Sequence, residues 1–258
     1  VLLVGCGNLK PQPENQYCSV SGSMLGTTYS VKAKTSLSSQ QIFEAMRRID
    51  HEAKSSMSIF NEASLLSRIN RNETDQLDIH IARNIEIAQK IHAIAPRYDI
   101  TVKPLVEAYG FAAKNREAKP NIDSLMEFVG FEKFAIDGNR IVKSDARLQI
   151  DLNSIAKGYT VDLVAEGLEA MGVESYMVNI GGEIRCSGKN SRGQQWSIGI
   201  ETPYEGNFAS DAVERIVRLT ECGVATSGNY RRFYTTENGE RVAHTPDPKS
   251  GRSVLSDL

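Results

Sequence analysis

The stretch Asp151-Leu152-Asn153-Ser154-Ile155-Ala156-Lys157-Gly158-Tyr159-Thr160-Val161-Asp162, with the pair Gly181-Gly182 that follows it, constrains the fold more than any other part of the chain. Ile155, Tyr159, Leu163, Val164, Leu168 and Met171 recur at three- and four-residue spacing, while Asp162, Glu166 and Glu169 fall elsewhere. The spacing predicts an amphipathic helix with one buried face. Asn153 or Ser154 is placed to cap its first N–H groups, Lys157 falls in its first turn, and Gly172 is placed as a left-handed stop. A helix start of this kind carries partial positive charge and favours an anion. Leu148-Gln149-Ile150-Asp151 reads as a strand feeding the helix. Tyr176, Val178 and Ile180, alternating with Ser175, Met177 and Asn179, read as a strand leaving it, and the two glycines let a ligand approach the backbone. The whole reads as the floor of a phosphate and metal site, although an ordinary helix, strand and turn satisfy the same spacing.

The 258 residues are 40% hydrophobic, enough to bury a core, and the formal net charge of -2 with no dense Lys/Arg tract excludes nucleic acid as an electrostatic partner. No stretch approaches the roughly 20 apolar residues of a spanning helix. At the start, Leu3-Val4-Gly5-Cys6 resembles a bacterial lipobox, in which the cysteine is lipidated, and a short buried strand satisfies the same residues. Gly7 to Gln16, with Pro11 and Pro13, reads as a tether, so residues 1–17 are expected to be signal end, lipobox and tether and residues 18–258 a folded domain. Cys18, Cys186 and Cys222 lack metal-ligand spacing and permit at most one disulfide; they read as small apolar fillers.

Elsewhere, Gly22 to Thr28 reads as a permissive loop entering a strand of Tyr29, Val31 and Ala33. Ser38 and Gln41 form a capping box ahead of a helix through Ile42, Met46, Ile49 and Ala53. His51 falls outside that stripe and reads as solvated. Phe60 suits a core anchor or a stacking platform for a ring system. A helix through Ile81, Ile85 and Ala88 closes at Pro96, with His92 on its apolar face. Tyr98 to Pro104 reads as a short strand, Leu105 to Phe111 as an aromatic, glycine-containing bend, and Lys119-Pro120 as part of a linker before a short helix from Ile122 to Phe128. Asp137-Gly138-Asn139 signals a hairpin, strands are expected over 183–185, 196–200 and 215–220, and Glu237-Asn238-Gly239-Glu240 reads as a turn. Gly223 to Arg232 combines hydroxyls, glycines and two arginines in a composition suited to anions. Within Ala243 to Gly251, His244 and Asp247 suit either a general base with a fixed tautomer or a turn bearing a surface histidine.

Together these residues resemble the bacterial ApbE-type flavin transferases. The resemblance rests on Gly26-Thr27-Thr28-Tyr29, Met57-Ser58-Ile59-Phe60 with Ser64 and Arg68-Ile69-Asn70, Asp99 to Phe111, Asp151 to Asp162, Val178 to Arg185, Thr226 to Tyr230, and His244 to Gly251. It implies an α+β, T-fold-like architecture of mixed antiparallel sheets and packed helices in two interlocked lobes around a flavin cleft. It further implies Mg²⁺-dependent transfer of FMN from FAD to a threonine or serine hydroxyl of an exported partner, such as a subunit of a redox-driven ion pump, with release of AMP.

Carried onto this chain, the resemblance implies that Leu25, Phe60, Ala108, Tyr109, Gly110, Asp151, Lys157, Gly181, Gly182 and Thr245 contact the flavin nucleotide. Ser154 would bind the metal through its carbonyl, His244 would be the base and Asp247 its orienter or a contact. Asn229 stands where an Asp is frequent. Family members continue beyond the His244 loop with further metal ligands, so residues 1–258 are expected to hold part of the magnesium site. A protein exported and anchored through lipid on Cys6, facing the periplasm or cell exterior, is the implied setting, with Gly7 disfavouring inner-membrane retention. A metal-dependent FAD pyrophosphatase and a non-catalytic periplasmic FAD-binding lipoprotein are the alternatives.

Overall fold

A computed structural model describes residues 16–111, 121–201, 213–228, 233–239 and 241–254. The lipobox and most of the tether, the Lys119-Pro120 linker, Asn229 to Arg232 and Glu240 lie outside the described residues.

A five-stranded antiparallel sheet organises the first half of the packing. The segment expected to be a loop from Gly22 to Thr28 is instead a hairpin of β1 (Tyr17–Met24) and β2 (Thr27–Lys34). Its two-residue turn, Leu25-Gly26, has φ of 50° and 73°, the pair of positive values whose twist matches that of antiparallel strands. Helix α1 (Ser39–Met57) then starts at the expected capping box, with Ser38 accepting from the Gln41 N–H and Gln41 returning the bond. His51 is exposed.

Helices α2 (Leu65–Asn70), α3 (Ile79–Ile94), α4 (Lys103–Ala108) and α5 (Ile122–Met126) follow, only α3 exceeding two turns, then the hairpin of β3 (Phe134–Asp137) and β4 (Arg140–Lys143) at its predicted place. Tyr98 to Pro104 is not a strand. Asp99 Oδ1 accepts the Thr101 N–H at 2.8 Å and hydroxyl at 2.7 Å, folding a local turn, and Pro104 occupies the first turn of α4, where its missing N–H costs no helix bond.

The long helix α6 (Asn153–Ala170) lies where the sequence put it, and β5 (Ser175–Ile180) and β6 (Glu183–Ser187) return through Gly181-Gly182. Three expectations about its approach and face are corrected. Among the described residues, Leu148 to Asp151 has no ladder partner; the buried Asn70 side chain donates to Ile150 O at 2.8 Å and accepts from Ile150 N at 2.7 Å, replacing a neighbouring strand. The helix start is capped neither by Asn153 nor by Ser154 but by Asp151 Oδ1, which accepts the Asn153 N–H at 2.7 Å. The buried face is Ile155, Thr160, Val161, Val164, Ala165 and Leu168, rotated from the predicted stripe, because Thr160 returns its hydroxyl to Ala156 O at 2.7 Å and so loses its polarity, while Met171 stays exposed. Gly172 closes the helix at φ 81°.

The sheet order is β1-β2-β5-β6-β9, with β9 spanning Cys222–Val224. Hairpins β7 (Trp196–Glu201) with β8 (Val213–Leu219), and β10 (Phe233–Thr235) with β11 (Arg241–Ala243), stand apart from it. Two apolar cores result. In one, Val20, Val31, Ala33, Tyr176 and Val178 of the sheet meet Ile42, Met46, Val161 and Val164 of α1 and α6. The other gathers Ala53, Met57, Leu66, Ile81, Ile85, Ile100, Phe134, Ile141, Leu148, Ile150 and Ile155. Helices α1 and α6 supply residues to both, and Leu25 packs against both. Each fully buried aliphatic side chain here contributes about 1.5–3 kcal/mol, so the position of α6 is fixed from two sides.

Candidate active site

The predicted site residues fall into three groups, two at the start of α6 and one around the loop after β11. At the Gly181-Gly182 turn, φ values of 58° and 100° suit glycine, and a Cβ added at Gly181 would lie 2.7 Å from Thr27 Cγ2. Gly181 N–H donates to Thr28 O at 2.9 Å and Gly182 N–H to Asn179 Oδ1 at 3.0 Å, locking the β5–β6 turn beside the β1–β2 turn. Lys157 Nζ donates to Gly181 O at 3.3 Å and lies 2.6 Å from Glu183 Oε2. The latter contact is an ion pair and not an aligned hydrogen bond, since that oxygen is buried without one. Leu25 N–H is held by Asp50 Oδ1 at 2.9 Å, and Asp50 Oδ2 pairs with Lys54 at 2.7 Å. Lys54 O in turn accepts from Asn61 Nδ2 at 3.2 Å, so the loop bearing Phe60 is tied through α1 to the Leu25 turn. Phe60 is 58% exposed, which makes it a surface ring and not a core anchor.

Asp151 and Ser154 form the second group. Asp151 is buried, and burial pushes its carboxyl up against the opposing pull of the Asn153 N–H and the Lys103 charge. Beneath it, buried Lys103 bridges Glu107 Oε1 at 2.5 Å and Gln149 Oε1 at 2.6 Å. Sequence reading missed this Lys103–Glu107 pair because it assigned residues 98–104 to a strand; its i,i+4 spacing in a helix opened by proline is the signal that could have found it. Ser154 is exposed and its hydroxyl meets Tyr98 Oη at 2.8 Å, with burial raising the Tyr98 hydroxyl. Ser154 and Lys157 are one helical turn apart and share a face.

The third group surrounds the loop after β11. Ala108 is buried, Tyr109 Oη donates to Gly251 O at 3.0 Å, and Gly110 has φ 80°. Phe111 stacks on Tyr234 at 5.5 Å and meets the edge of the half-buried His244 at 6.2 Å. Asp247 accepts from the Lys249 N–H, the Ser250 hydroxyl and Arg97 Nη1, at 3.2, 3.1 and 2.9 Å. Burial raises its carboxyl, but these bonds outweigh burial and hold it below the ordinary range. Thr245 is exposed, and its carbonyl accepts the Val254 N–H. Arg97 and Tyr98 are consecutive and reach Asp247 and Ser154 respectively, which joins the second group to the third.

His92, by contrast, is structural. It stacks on Phe131 at 4.2 Å, and its Nδ1 meets Tyr98 O at 2.7 Å. An open cavity of about 680 Å³ lined by Asn121, Ile122, Asp123, Ser250 and Arg252 lies to the α5 side of the His244 loop and contains none of the predicted site residues.

Magnesium requires several hard oxygens in near-octahedral geometry. Ser154 offers one exposed position, but among the described residues no three His, Cys, Asp or Glu side chains converge to hold a metal. The described residues therefore do not fit a self-contained Mg²⁺ site.

The profile of the ApbE family matches residues 25–258. The chain is 38% identical to the FAD:protein FMN transferase of Haemophilus influenzae, covering 96% of this chain and 75% of that protein. It is 32% identical to the Vibrio cholerae protein of the same name, over 98% and 77% of the two. The flavin transferase ApbE structure from Vibrio cholerae superposes with a TM-score of 0.82 at 32% identity, covering 93% and 79%, and the apo flavinyl transferase ApbE of Pseudomonas stutzeri with 0.81 at 30% identity, covering 93% and 77%. With its α+β fold matched over nearly its whole described length, the chain belongs to the ApbE family.

Proposed function

We propose that this protein transfers FMN from FAD to a threonine or serine hydroxyl of an exported acceptor protein, with Mg²⁺ required, AMP released, and lipid on Cys6 anchoring the enzyme to a membrane outside the cytoplasm. The observation that carries the reading is the continuous strip from Gly181-Gly182 through Lys157, Ser154, Tyr98 and Arg97 to the His244 loop, in a chain 38% identical to a protein named for that reaction. The acceptor oxygen bonds to the phosphorus on the FMN side of the pyrophosphate, the P–O bond to the AMP phosphate breaks, and the hydroxyl proton passes to His244. Lys157 offers its charge to the phosphates. Tyr109, Phe111 and Phe60 provide aromatic surface for the flavin ring, and the turns at Leu25 and Gly181 admit the nucleotide close to backbone. Positioning and charge neutralisation are the main demands of such a transfer.

Incubation with FAD, Mg²⁺ and an acceptor protein, followed by mass measurement of the acceptor, tests the reading. An FMN increment on a threonine or serine, lost on chelation of Mg²⁺ and strongly reduced in His244→Ala, is expected. Free FMN and AMP without acceptor modification would establish hydrolysis instead, and unchanged FAD would establish binding alone.

A further inference from the structure

Three cysteines lie among the described residues, all as free thiols, and the strand register separates them sharply. Cys186 on β6 stands directly opposite Cys222 on β9. Cys18 is on β1, three strand spacings from β6, or roughly 14 Å. Residues directly opposite in an antiparallel pair have Cα atoms about 4.5 or 5.5 Å apart, and a disulfide spans about 4.4–6.8 Å. Cross-strand partners also share a face, so both side chains point the same way. The Cys186 Sγ leans across the pair to within 3.7 Å of the Cys222 carbonyl oxygen. The register is held independently of either thiol: the Glu221 carboxylate accepts the Gly188 N–H at 2.7 Å and the Ser187 hydroxyl at 3.1 Å, which prevents Cys222 from slipping along β6.

We propose that Cys186 and Cys222 form a cross-strand disulfide under oxidising conditions, stapling β9 to the sheet. The oxidant is a dithiol-exchanging disulfide, small-molecule or protein. The more accessible Cys222 attacks one of its sulfurs and releases one thiol. Cys186 then attacks the resulting mixed disulfide and releases the second thiol, so that two protein thiols are oxidised and one oxidant disulfide is reduced. Burial and the neighbouring Cys222 push the Cys186 thiol up to about 11, so the buried Cys186 attacks second, when the mixed disulfide on Cys222 is already held beside it. The consequence is local. Strand β9 has three residues and lies at the sheet edge, and it leads directly into Ala225, Thr226, Ser227 and Gly228. The staple would fix the entry to that segment whether or not the chain transfers FMN.

The test is treatment of the full-length protein with oxidised glutathione, followed by peptide mapping without reductant. The expected product is one linked peptide pair containing Cys186 and Cys222, lighter by two hydrogens, with the unfolding midpoint raised by roughly 5–15 °C and returned by dithiothreitol. Cys222→Ser should abolish both signals and Cys18→Ser neither. Retention of all thiols, a bond to Cys18, or stable glutathione adducts in place of the pair would overturn the proposal; each is read on the wild-type protein and does not depend on a variant folding.

Discussion

Gly181 and Gly182 are adjacent, both have positive φ, and both belong to the turn assigned to nucleotide approach, yet the structure predicts different consequences for an added methyl group. A left-handed backbone costs a non-glycine residue about 1–2 kcal/mol, and Gly181→Ala and Gly182→Ala share that cost. At Gly182 the new Cβ meets nothing within 4 Å. At Gly181 it meets Thr27 Cγ2 at 2.7 Å and Oγ1 at 2.9 Å, and Thr27, β-branched and at the first position of β2, has little rotamer freedom with which to yield. Overpacking of this kind adds about 1–3 kcal/mol, so Gly181→Ala should lose about 2–5 kcal/mol in a urea titration and Gly182→Ala about 1–2. Thr27→Ala removes both close atoms and leaves the Thr27 Cβ position at 3.2 Å, so in that background the two alanine variants should converge. An FAD titration should reverse the ranking, because the methyl at Gly182 projects into open space where the nucleotide is proposed to lie. Equal destabilisation by both substitutions, or a Gly181→Ala loss unchanged by Thr27→Ala, would refute the packing argument.

Asn70→Ala leaves the buried N–H and C=O of Ile150 without partners and should cost about 2–4 kcal/mol, read as a lower urea midpoint. Asp151→Asn should be inactive in FMN transfer yet more stable at neutral pH. Burial raises the Asp151 carboxyl in the folded state, so the unfolded chain ionises first and the wild type loses stability as pH rises above about 4, a loss the amide does not share; thermal melts of both proteins between pH 4 and 7 check this. Burial lowers Lys143 to about 8, so between pH 8 and its unfolded value near 10.5 the unfolded chain binds more protons and stability gains a rising component with pH. In Lys143→Met that component should be missing from the pH dependence of the melting temperature.

Much of this arrangement was legible in the sequence where hydrophobic period and turn chemistry agree. The capping box at Ser38, the hairpin at Gly138, helix α6 and the strand pair around Gly181-Gly182 all follow from local patterns. Illegible parts were those in which a side chain does the work of backbone. Asn70 imitates a strand neighbour for Ile150, Asp99 turns a β-rich sequence into a bend, and Asp151 caps the helix from two residues upstream. The β1–β2 turn was missed because Leu25 adopts φ 50°, which a sequence rule assigns to Gly or Asn. Phe60 and His244 each admitted two readings and Tyr109 only an aromatic bend; resemblance chose the site reading, since none has a local pattern that separates a pocket wall from ordinary surface.

The charges along the strip bear on why a cation would be needed. Lys157 pairs with Glu183, Lys103 with Glu107, and Arg97 with Asp247, so the positive groups next to the α6 start each face a carboxylate, and Asp151 adds a buried acid beside them. Among the described residues of the strip, a doubly negative pyrophosphate finds hydrogen-bond donors but little uncompensated positive charge. That balance supports the proposed dependence on Mg²⁺, and it makes Glu183 the group that competes with the phosphates for Lys157. Glu183→Gln keeps the shape of the side chain while removing one negative charge at a partly buried position. Worked as a single charge several ångströms from the phosphates, the change is on the order of 1 kcal/mol, or roughly fivefold. FAD affinity measured by fluorescence in the presence of a chelator should therefore rise about fivefold in Glu183→Gln, with a smaller change when Mg²⁺ is saturating. An affinity without Mg²⁺ that stays the same or falls would show that Lys157 is not the phosphate contact, and the anion would then have to be placed elsewhere on the strip.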